Sequence, residues 1–486
     1  MNYNLMVPGD NISYVNCHSY NLEWYRTPFM RDRDRIMQCT AFKRLAGKTQ
    51  VYTTGLDDHK KNRLTHSLEV AQISRTISSA LGFDSNLAEA IALGHDLGHA
   101  PFGHAGEEIL HKIMIPNSNY IKGSPLYKCS IEKIIDTIRK EKKGKKNIKE
   151  IDQLFGFKHN IQSVRVVSVL EDSYVDSSNN NIGLNLSNYT LWGIMNHALM
   201  YYHENDLYPN YQNRFRDNMS INSCDSAEAW SFEAYIVGVA DIISQCHHDL
   251  EDALSERAIS LKGMCQTIKN AIGGKLCNND QQELIKLGSE EKASRIVLAK
   301  ISHIVLNTLV SDVIETSKNN LKAIEECLQK ETKGLDDKGE FINNNLFVNY
   351  NTDMFKIERN KIIDFSNEIK INVFWKSINK YIHHSSRVER MNEKGKHIIE
   401  KLFEAYYKHP QQLPDGPIQH CMVEMGFYHT LVKAKDKDIG PLRNRFEQKM
   451  KNPSCYQKII LMRRICDYIA CMTDRFALEE YRNLFC

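Results

Sequence analysis

The chain of 486 residues is 42% hydrophobic and 25% charged, an ordinary composition for a globular protein that argues against extensive disorder. Lys and Arg total 63 and Asp and Glu total 60, so the formal net charge of +3 provides no global attraction to polyanions. At this length we expect one large body with appended subdomains rather than one small core.

The thirteen cysteines are scattered, and none forms the short paired spacing of a zinc or thiol-exchange motif. We therefore expect reduced core cysteines in a cytoplasmic protein. The start, MNYNLMVPGDNISYVNC, lacks the basic and apolar regions of a signal peptide, and no run of about 18 apolar residues follows. The sequence predicts neither secretion nor a membrane span.

Apolar residues three and four positions apart recur between polar breaks, while alternating strand patterns are few, so the predicted fold is mainly α. One predicted helix has a continuous apolar face and stops at Gly82. That face comprises Val70, Ile73, Ile77, Ala80 and Leu81. A second helix is predicted to begin at Asn86, with Glu89 completing a capping box, and to carry His95 and Asp96 near its end.

Polar segments at 139–150, 176–181 and 333–345 predict loops or insertions. The first, RKEKKGKKNIKE, is the only dense basic run. We interpret it as a solvated lysine-rich loop, with contact to phosphates or nucleic acid as the alternative.

Four residues have the side chains of a divalent-metal site: His66 in NRLTHSLEV, His95 and Asp96 in LGHDLGH, and Asp241 in VGVADIISQ. Two imidazoles and two carboxylates suit a borderline or hard divalent ion and leave positions for water and phosphate oxygens. Asp241 is the most informative of the four, because an ionised carboxylate in an apolar helix is costly unless it is paired or bound to a metal.

Further histidines follow this set. His95 and His99 lie four positions apart and would share a face of a helix, and His104 and Glu107 lie three apart at the start of another predicted helix. A carboxylate beside a histidine fixes its tautomer and raises its basicity, as general acid–base chemistry requires. A lone histidine is more often an ordinary core or surface residue, so only the combination indicates a hydrolytic site.

Seven blocks of the sequence, in order, resemble the bacterial deoxyguanosine triphosphate triphosphohydrolases of the HD superfamily of metal phosphohydrolases. The resemblance covers residues 26 to 256 and 440 to 485. The blocks are RDRDRIMQCTAFKRLAGKTQVY, NRLTHSLEVAQISRTI, LGHDLGHAPFGHAGEE, FKHNIQSVRVV, GLNLSNYTL, FEAYIVGVADII with DLEDAL, and RRICDYIACMTDRFALEEY.

The resemblance implies hydrolysis of a deoxynucleoside triphosphate, with dGTP favoured, to a deoxynucleoside and inorganic triphosphate. It also implies a divalent ion, foremost Mg²⁺ or Mn²⁺, with Fe²⁺, Co²⁺ or Ni²⁺ as alternatives. The implied residues are His66, His95, Asp96 and Asp241 for the metal, His104 and Glu107 as the catalytic pair, His99 as a further active-site histidine, Arg63 for phosphate, and Gln50 and Asp249 for the sugar 3′-hydroxyl.

The expected organisation is a mainly α HD-type core with appended helical subdomains. We expect an N-terminal segment at 1–25, the catalytic core at 26–256, a helical insertion at 257–345, and a C-terminal helical region at 346–486 that completes the substrate pocket. The resemblance further implies a homo-oligomer, a hexamer or tetramer, with single-stranded DNA or a nucleotide as a candidate effector.

One position departs from the family pattern. Gln245 stands where many relatives have a tyrosine four residues after the last aspartate ligand, so phosphate contacts and substrate preference are open at this point. His247 and His248 could compensate, although we favour a surface or supporting position for them. The alternatives are an HD phosphohydrolase of broad dNTP or other nucleotide specificity and a nucleic-acid-binding or regulatory HD protein.

Overall fold

The computed structural model describes most of the chain, and every structural statement below concerns the described residues. These are residues 25–50, 61–141, 154–175, 181–197, 231–255, 258–290, 294–331, 361–382, 386–427 and 439–486. They form eighteen α-helices, and the only β-structure among them is isolated bridges. The predicted mainly α fold is confirmed.

Eight helices precede residues 198–230, which the structure does not describe. They are α1 (Pro28–Gln38), α2 (Thr40–Arg44), α3 (Arg63–Leu81), α4 (Ser85–Gly94), α5 (Gly103–Met114), α6 (Ile131–Glu141), α7 (His159–Arg165) and α8 (Asn188–Asn196). A π-helical turn at Val166–Leu170 extends α7.

Ten helices follow residue 230. They are α9 (Phe232–Ser255), α10 (Leu261–Ile272), α11 (Asn278–Gly288), α12 (Arg295–Glu331), α13 (Ile371–Ile382), α14 (Ser386–Lys408), α15 (Asp415–Glu424), α16 (Ile439–Lys449), α17 (Cys455–Ala470) and α18 (Asp474–Phe485). The block RRICDYIACMTDRFALEEY spans the last two of these helices.

Helix α3 follows its sequence pattern closely. Asn62 caps its first turn by accepting a hydrogen bond from the Thr65 N–H, and Gly82 ends it in the left-handed conformation at φ 83°. The predicted apolar face is buried, except that Ala80 is exposed. This helix carries Arg63 and His66 at its buried N-terminal end.

Helix α4 differs from its prediction at both ends. It begins at Ser85, capped by Asp84, and it ends at Gly94, so His95 and Asp96 lie in the following turn. The expected shared helical face of His95 and His99 was therefore wrong. A contact remote in sequence bounds this turn: the Ser163 hydroxyl donates to the His95 carbonyl and accepts from the N–H of Gly98.

The buried apolar residues form two clusters. The first joins α1, α3, α4, α7 and α8 with α9 to α13, and the second joins α5 and α6 with α14 to α18. Residues 95–103, named the active-site loop because they include the predicted site residues His95, Asp96 and His99, run between the clusters. Leu97 belongs to the first cluster and Phe102 to the second. The four predicted segments and the boundaries between them stay predictions.

Among the described residues, Arg295–Ile324 of α12 is the one segment long and apolar enough to cross a membrane, with a mean hydropathy of 1.5. Half of the apolar stretch is buried within the protein. Its inward residues, including Ile301, Val305 and Leu309, belong to the first hydrophobic cluster. Packing in a helical core therefore accounts for the apolar composition of this stretch.

Candidate metal and catalytic site

The four predicted metal ligands converge at one place. The Nε2 atom of His66 lies 2.9 Å from Oδ1 of Asp241, and Nε2 of His95 lies 3.9 Å from that same oxygen and 3.4 Å from Oδ1 of Asp96. Donor atoms of His66, His95 and Asp96 all lie within 4.8 Å of one another. Helix α3, the active-site loop and α9 together supply this set.

The donor atoms face a common centre because the outer ring nitrogens are engaged elsewhere. His95 Nδ1 lies 2.6 Å from the Ala92 carbonyl oxygen, and His66 Nδ1 lies 3.2 Å from the Ser244 hydroxyl. Within the described chain, the buried Nε2 of His95 has no hydrogen-bond partner. Such outer contacts fix the tautomer and aim the remaining lone pair, so this donor set fits a divalent ion.

Arg63 contacts the metal-ligand set directly. Its Nη1 donates to Oδ2 of Asp96 at 2.6 Å, and both side chains are buried. Burial alone would raise the pKa of Asp96, but His95, Arg63 and His99 hold it well below its usual range. The contact with His66 lowers the pKa of Asp241 in the same way, against the effect of burial. Both carboxylates are therefore ionised and available to a cation.

Glu107 lies at the centre of a group of three histidines on the other side of Asp96. Its Oε2 lies 2.8 Å from Nδ1 of His159, 3.8 Å from Nδ1 of His104 and 3.9 Å from Nδ1 of His99. His99 stacks on His159 at 3.8 Å between ring centroids, and its Nε2 lies 3.0 Å from Oδ1 of Asp96. His104 is the exposed member of the group, with a side chain that is 74% exposed. The predicted pair is thus part of a larger cluster joined to the metal set.

His159 is a site residue that sequence reasoning did not single out. It is the first residue of α7, in the block FKHNIQSVRVV. Burial lowers its pKa, but the charge of Glu107 raises the pKa above the usual value overall. Burial and the nearby Arg63 and His159 instead hold the pKa of His99 well below its usual range. Because His159 and Glu107 are far apart in sequence, no local pattern predicts their contact.

The two residues expected at the sugar have buried oxygens without partners in the part of the chain that the structure describes. These atoms are Oε1 of Gln50 and Oδ1 of Asp249. Burial raises the pKa of Asp249 to about 7, with a further contribution from Asp252. An unpartnered buried oxygen is costly, and a ligand hydroxyl would relieve that cost.

His247 and His248 are buried rather than at the surface. His247 Nδ1 lies 2.6 Å from one oxygen of Glu69 and His248 Nε2 lies 2.7 Å from the other. The His248 ring packs edge-on against His66, at 5.2 Å between centroids. Lys61 lies 3.5 Å from Glu69 and 2.8 Å from Glu251. This network supports α3 against α9 directly behind a predicted metal ligand.

Gln245 occupies the same side of α9 as two predicted site residues. It follows Asp241 by one helical turn and precedes Asp249 by another, and its side chain is half-buried. The departure from the family tyrosine therefore falls between the metal set and the residue expected at the sugar.

Two known domain families match parts of this chain. The HD domain matches residues 63–157, and the phosphohydrolase-associated domain matches residues 365–424 and 427–483. Together with the convergent His and Asp side chains, these matches define the protein as an HD-domain phosphohydrolase.

The chain is 30% identical to a deoxyguanosinetriphosphate triphosphohydrolase-like protein of Leptospira interrogans, over 95% of this chain and 90% of that protein. It is 32% identical to the protein of that name from Geobacter sulfurreducens, over 95% and 89%. A Bartonella henselae protein of that name is 30% identical, over 95% and 90%. The chain belongs to this deoxyguanosinetriphosphate triphosphohydrolase-like family.

Proposed function

We propose that the protein hydrolyses deoxynucleoside triphosphates, dGTP foremost, to a deoxynucleoside and inorganic triphosphate with the help of a divalent metal ion. The observation that carries this proposal is the arrangement of His66, His95, Asp96 and Asp241 around one centre, beside the Glu107 cluster. The names of the relatives supply the substrate class.

His66, His95, Asp96 and Asp241 would hold the ion. Bound there, a divalent ion supplies Lewis-acid polarisation of a phosphoryl oxygen and lowers the pKa of water. Arg63 keeps Asp96 ionised and fixes its orientation through the 2.6 Å contact. The guanidinium also adds positive charge where negative charge on the phosphoryl oxygens increases during the reaction.

His104 is the proposed general acid for the leaving 5′-oxygen. An alkoxide is a poor leaving group, so a proton delivered as the bond breaks lowers the barrier. His104 is the exposed histidine of the cluster, and Oε2 of Glu107 lies 3.8 Å from its Nδ1. His159 donates to Glu107 in the present arrangement and so holds the carboxylate in its ionised form.

Gln245 favours one alternative, an HD phosphohydrolase of broad dNTP or other nucleotide specificity. The side-chain amide offers different hydrogen bonds from the phenol that relatives have at this position, and it lies between Asp241 and Asp249 on α9. A regulatory protein that only binds nucleotide would not need the intact set of acid–base residues, which makes it the weaker reading.

The direct test is to incubate the protein with each dNTP and with Mg²⁺ or Mn²⁺, and to separate the products by ion-exchange chromatography. We expect a deoxynucleoside and triphosphate, fastest from dGTP. Products limited to a mono- or diphosphate would contradict the proposed bond cleavage. Asp241→Asn and His104→Ala should both abolish turnover, with only the first also reducing bound metal.

We further propose that the protein acts in the cytoplasm, where dNTP pools lie, as a homo-oligomer of four or six subunits. Mass photometry of the purified chain tests the subunit number, and a single monomeric species would contradict it. Single-stranded DNA and other nucleotides are the proposed effectors. The basic run from Lys142 to Lys149, which would serve DNA binding, lies outside the described residues.

A further inference from the structure

The active-site loop holds an unusual backbone conformation next to the catalytic histidines. Phe102 has φ 61°, in the left-handed region that a bulky side chain rarely adopts, and Gly103 follows at φ 61°. His99 precedes this turn and His104 follows it. Since the conformation is intrinsically disfavoured, contacts from elsewhere in the fold must hold it.

Asp474, the first residue of α18, provides one of these contacts and links it to a second segment. Its Oδ1 accepts a hydrogen bond from the Phe102 N–H at 2.9 Å, and its Oδ2 accepts from the Thr49 N–H at 3.0 Å and from the Thr49 hydroxyl. The carboxylate is buried. One side chain of the C-terminal helix therefore joins the active-site loop to Thr49, the neighbour of Gln50.

Lys48 makes the complementary contact from the other side. Its buried ammonium donates to the carbonyl oxygen of His99, within the active-site loop, and to the carbonyl oxygen of Ala470 at 2.8 Å. Ala470 is the last residue of α17, where a cation also favourably meets the negative end of the helix dipole. Lys48 thus ties the backbone of an active-site histidine to the C-terminal region.

Helix α14 covers the same turn. Gly395 packs so closely that a Cβ added there would lie 2.8 Å from Cβ and Cγ of Phe102. Asp474, Lys48 and Gly395 contact three different parts of the turn from separate elements. The position of the active-site loop is therefore set by residues that lie far from it in sequence and outside the predicted metal and acid–base groups.

We propose that Lys48 and Asp474 act as positioning residues that hold the active-site loop in its reactive geometry. This inference rests on the proposed hydrolysis. His99 contacts Asp96 at 3.0 Å and His104 faces Glu107, so displacement of the 99–103 end of the loop would misalign proton transfer. The metal ligands at the other end, His95 and Asp96, are held separately by Ser163 and Arg63. Loss of either residue should lower kcat more than it changes KM.

The variants are Asp474→Asn, Lys48→Met and the milder Thr49→Val, which removes only one hydrogen bond to Asp474. Glu480→Gln is the matched control, because it removes the carboxylate charge from the 2.6 Å contact of Glu480 with Tyr406 between α18 and α14 without touching the loop. We expect kcat to fall about tenfold or more in the first two variants and less in Thr49→Val, with KM nearly unchanged. Glu480→Gln should keep wild-type kcat even if its unfolding temperature falls.

Amide hydrogen exchange provides a readout that does not require activity. In Asp474→Asn, peptides covering the active-site loop should exchange faster than in the wild type, while peptides from α3 and α9 should not. Unchanged exchange in the loop, a kcat within twofold of wild type, or an equal loss of kcat in Glu480→Gln would overturn the inference. If the wild-type protein hydrolyses no dNTP, the proposed function fails, and the exchange experiment still decides whether Asp474 holds the loop.

Discussion

Oε2 of Glu107 accepts a hydrogen bond from Nδ1 of His159 at 2.8 Å, while Nδ1 of His104 lies 3.8 Å from the same oxygen. The predicted partner of Glu107 is thus the more distant of the two. His159 holds Glu107 in its ionised form, and His104, the proposed general acid, is left exposed. The two histidines therefore have separable roles.

His159→Ala tests this separation. Burial would raise the pKa of Glu107, and the charge of His159 is the largest opposing influence. Without His159 that pKa should rise, so Glu107 becomes protonated at a higher pH and the acid limb of the kcat profile moves upward in pH. We expect kcat near neutrality to fall on the order of tenfold. His420→Ala, remote from the site, is the control, and an acid limb that stays in place would argue against the role.

Metal removal should separate binding from chemistry. We expect a chelator to abolish hydrolysis and lower the unfolding temperature, because an ion that binds only the folded state stabilises it. Mn²⁺ added back should restore both in the wild type, but neither in Asp241→Asn, which replaces the carboxylate 2.9 Å from His66. Differential scanning fluorimetry with metal analysis measures this. Equal stabilisation of the two proteins by Mn²⁺ would remove Asp241 from the ligand set.

The Glu69 network should contribute to stability as a unit. Glu69 accepts from both His247 and His248, which lower its pKa although burial alone would raise it. A double-mutant cycle of Glu69→Gln and His248→Gln, followed by urea unfolding in chelator at neutral pH, should give a coupling energy of about 1–3 kcal/mol. Additive effects of the two substitutions would mean that the contact contributes nothing.

Glu233 predicts a pH dependence of stability. Burial raises its pKa to about 7, from the 4.5 expected when unfolded. Between these values the folded protein keeps a proton that the unfolded chain has lost, so this group lowers the free energy of unfolding as the pH rises through that window. In Glu233→Gln the free energy of unfolding should not fall in this way. Relative to the wild type it should increase by up to roughly 3 kcal/mol as the pH rises. Urea unfolding from pH 4.5 to 8 measures it, and parallel pH profiles would refute it.

Gln245→Tyr restores the residue that many relatives have. If position 245 contacts substrate phosphate, the phenol should lower KM for dNTPs and leave kcat within a few-fold. Gln245→Leu is the matched control, since it keeps the size of the side chain and removes its polar atoms. If the KM for each of the four dNTPs is the same in the wild type, Gln245→Tyr and Gln245→Leu, position 245 does not take part in substrate binding.

The sequence predicts features that depend on local patterns better than features that depend on remote contacts. The body of α3 follows from its apolar period, its Asn62 cap and Gly82. The end of α4 does not, because Ser163 from α7 bounds the turn after it. His159 was missed for the same reason, since only the folded chain brings α7 beside α5.

The C-terminal region shows the same limit more strongly. The apolar pattern of α17 indicates a packed helix, and that prediction needs no knowledge of its partners. No sequence pattern points to a role for Asp474, since its hydrogen bonds to Phe102 and Thr49 join segments that are far apart in sequence. Each of these contacts is a product of tertiary packing.

The position of the cleaved bond tests the central claim most directly. Hydrolysis of dGTP in water enriched in oxygen-18 should place the label in the released triphosphate, because attack at the α-phosphorus breaks the bond to the 5′-oxygen. Mass spectrometry of both products measures this. Label in triphosphate and none in deoxyguanosine is the predicted result. Label in deoxyguanosine, or release of dGMP or dGDP instead of triphosphate, would contradict the proposed chemistry.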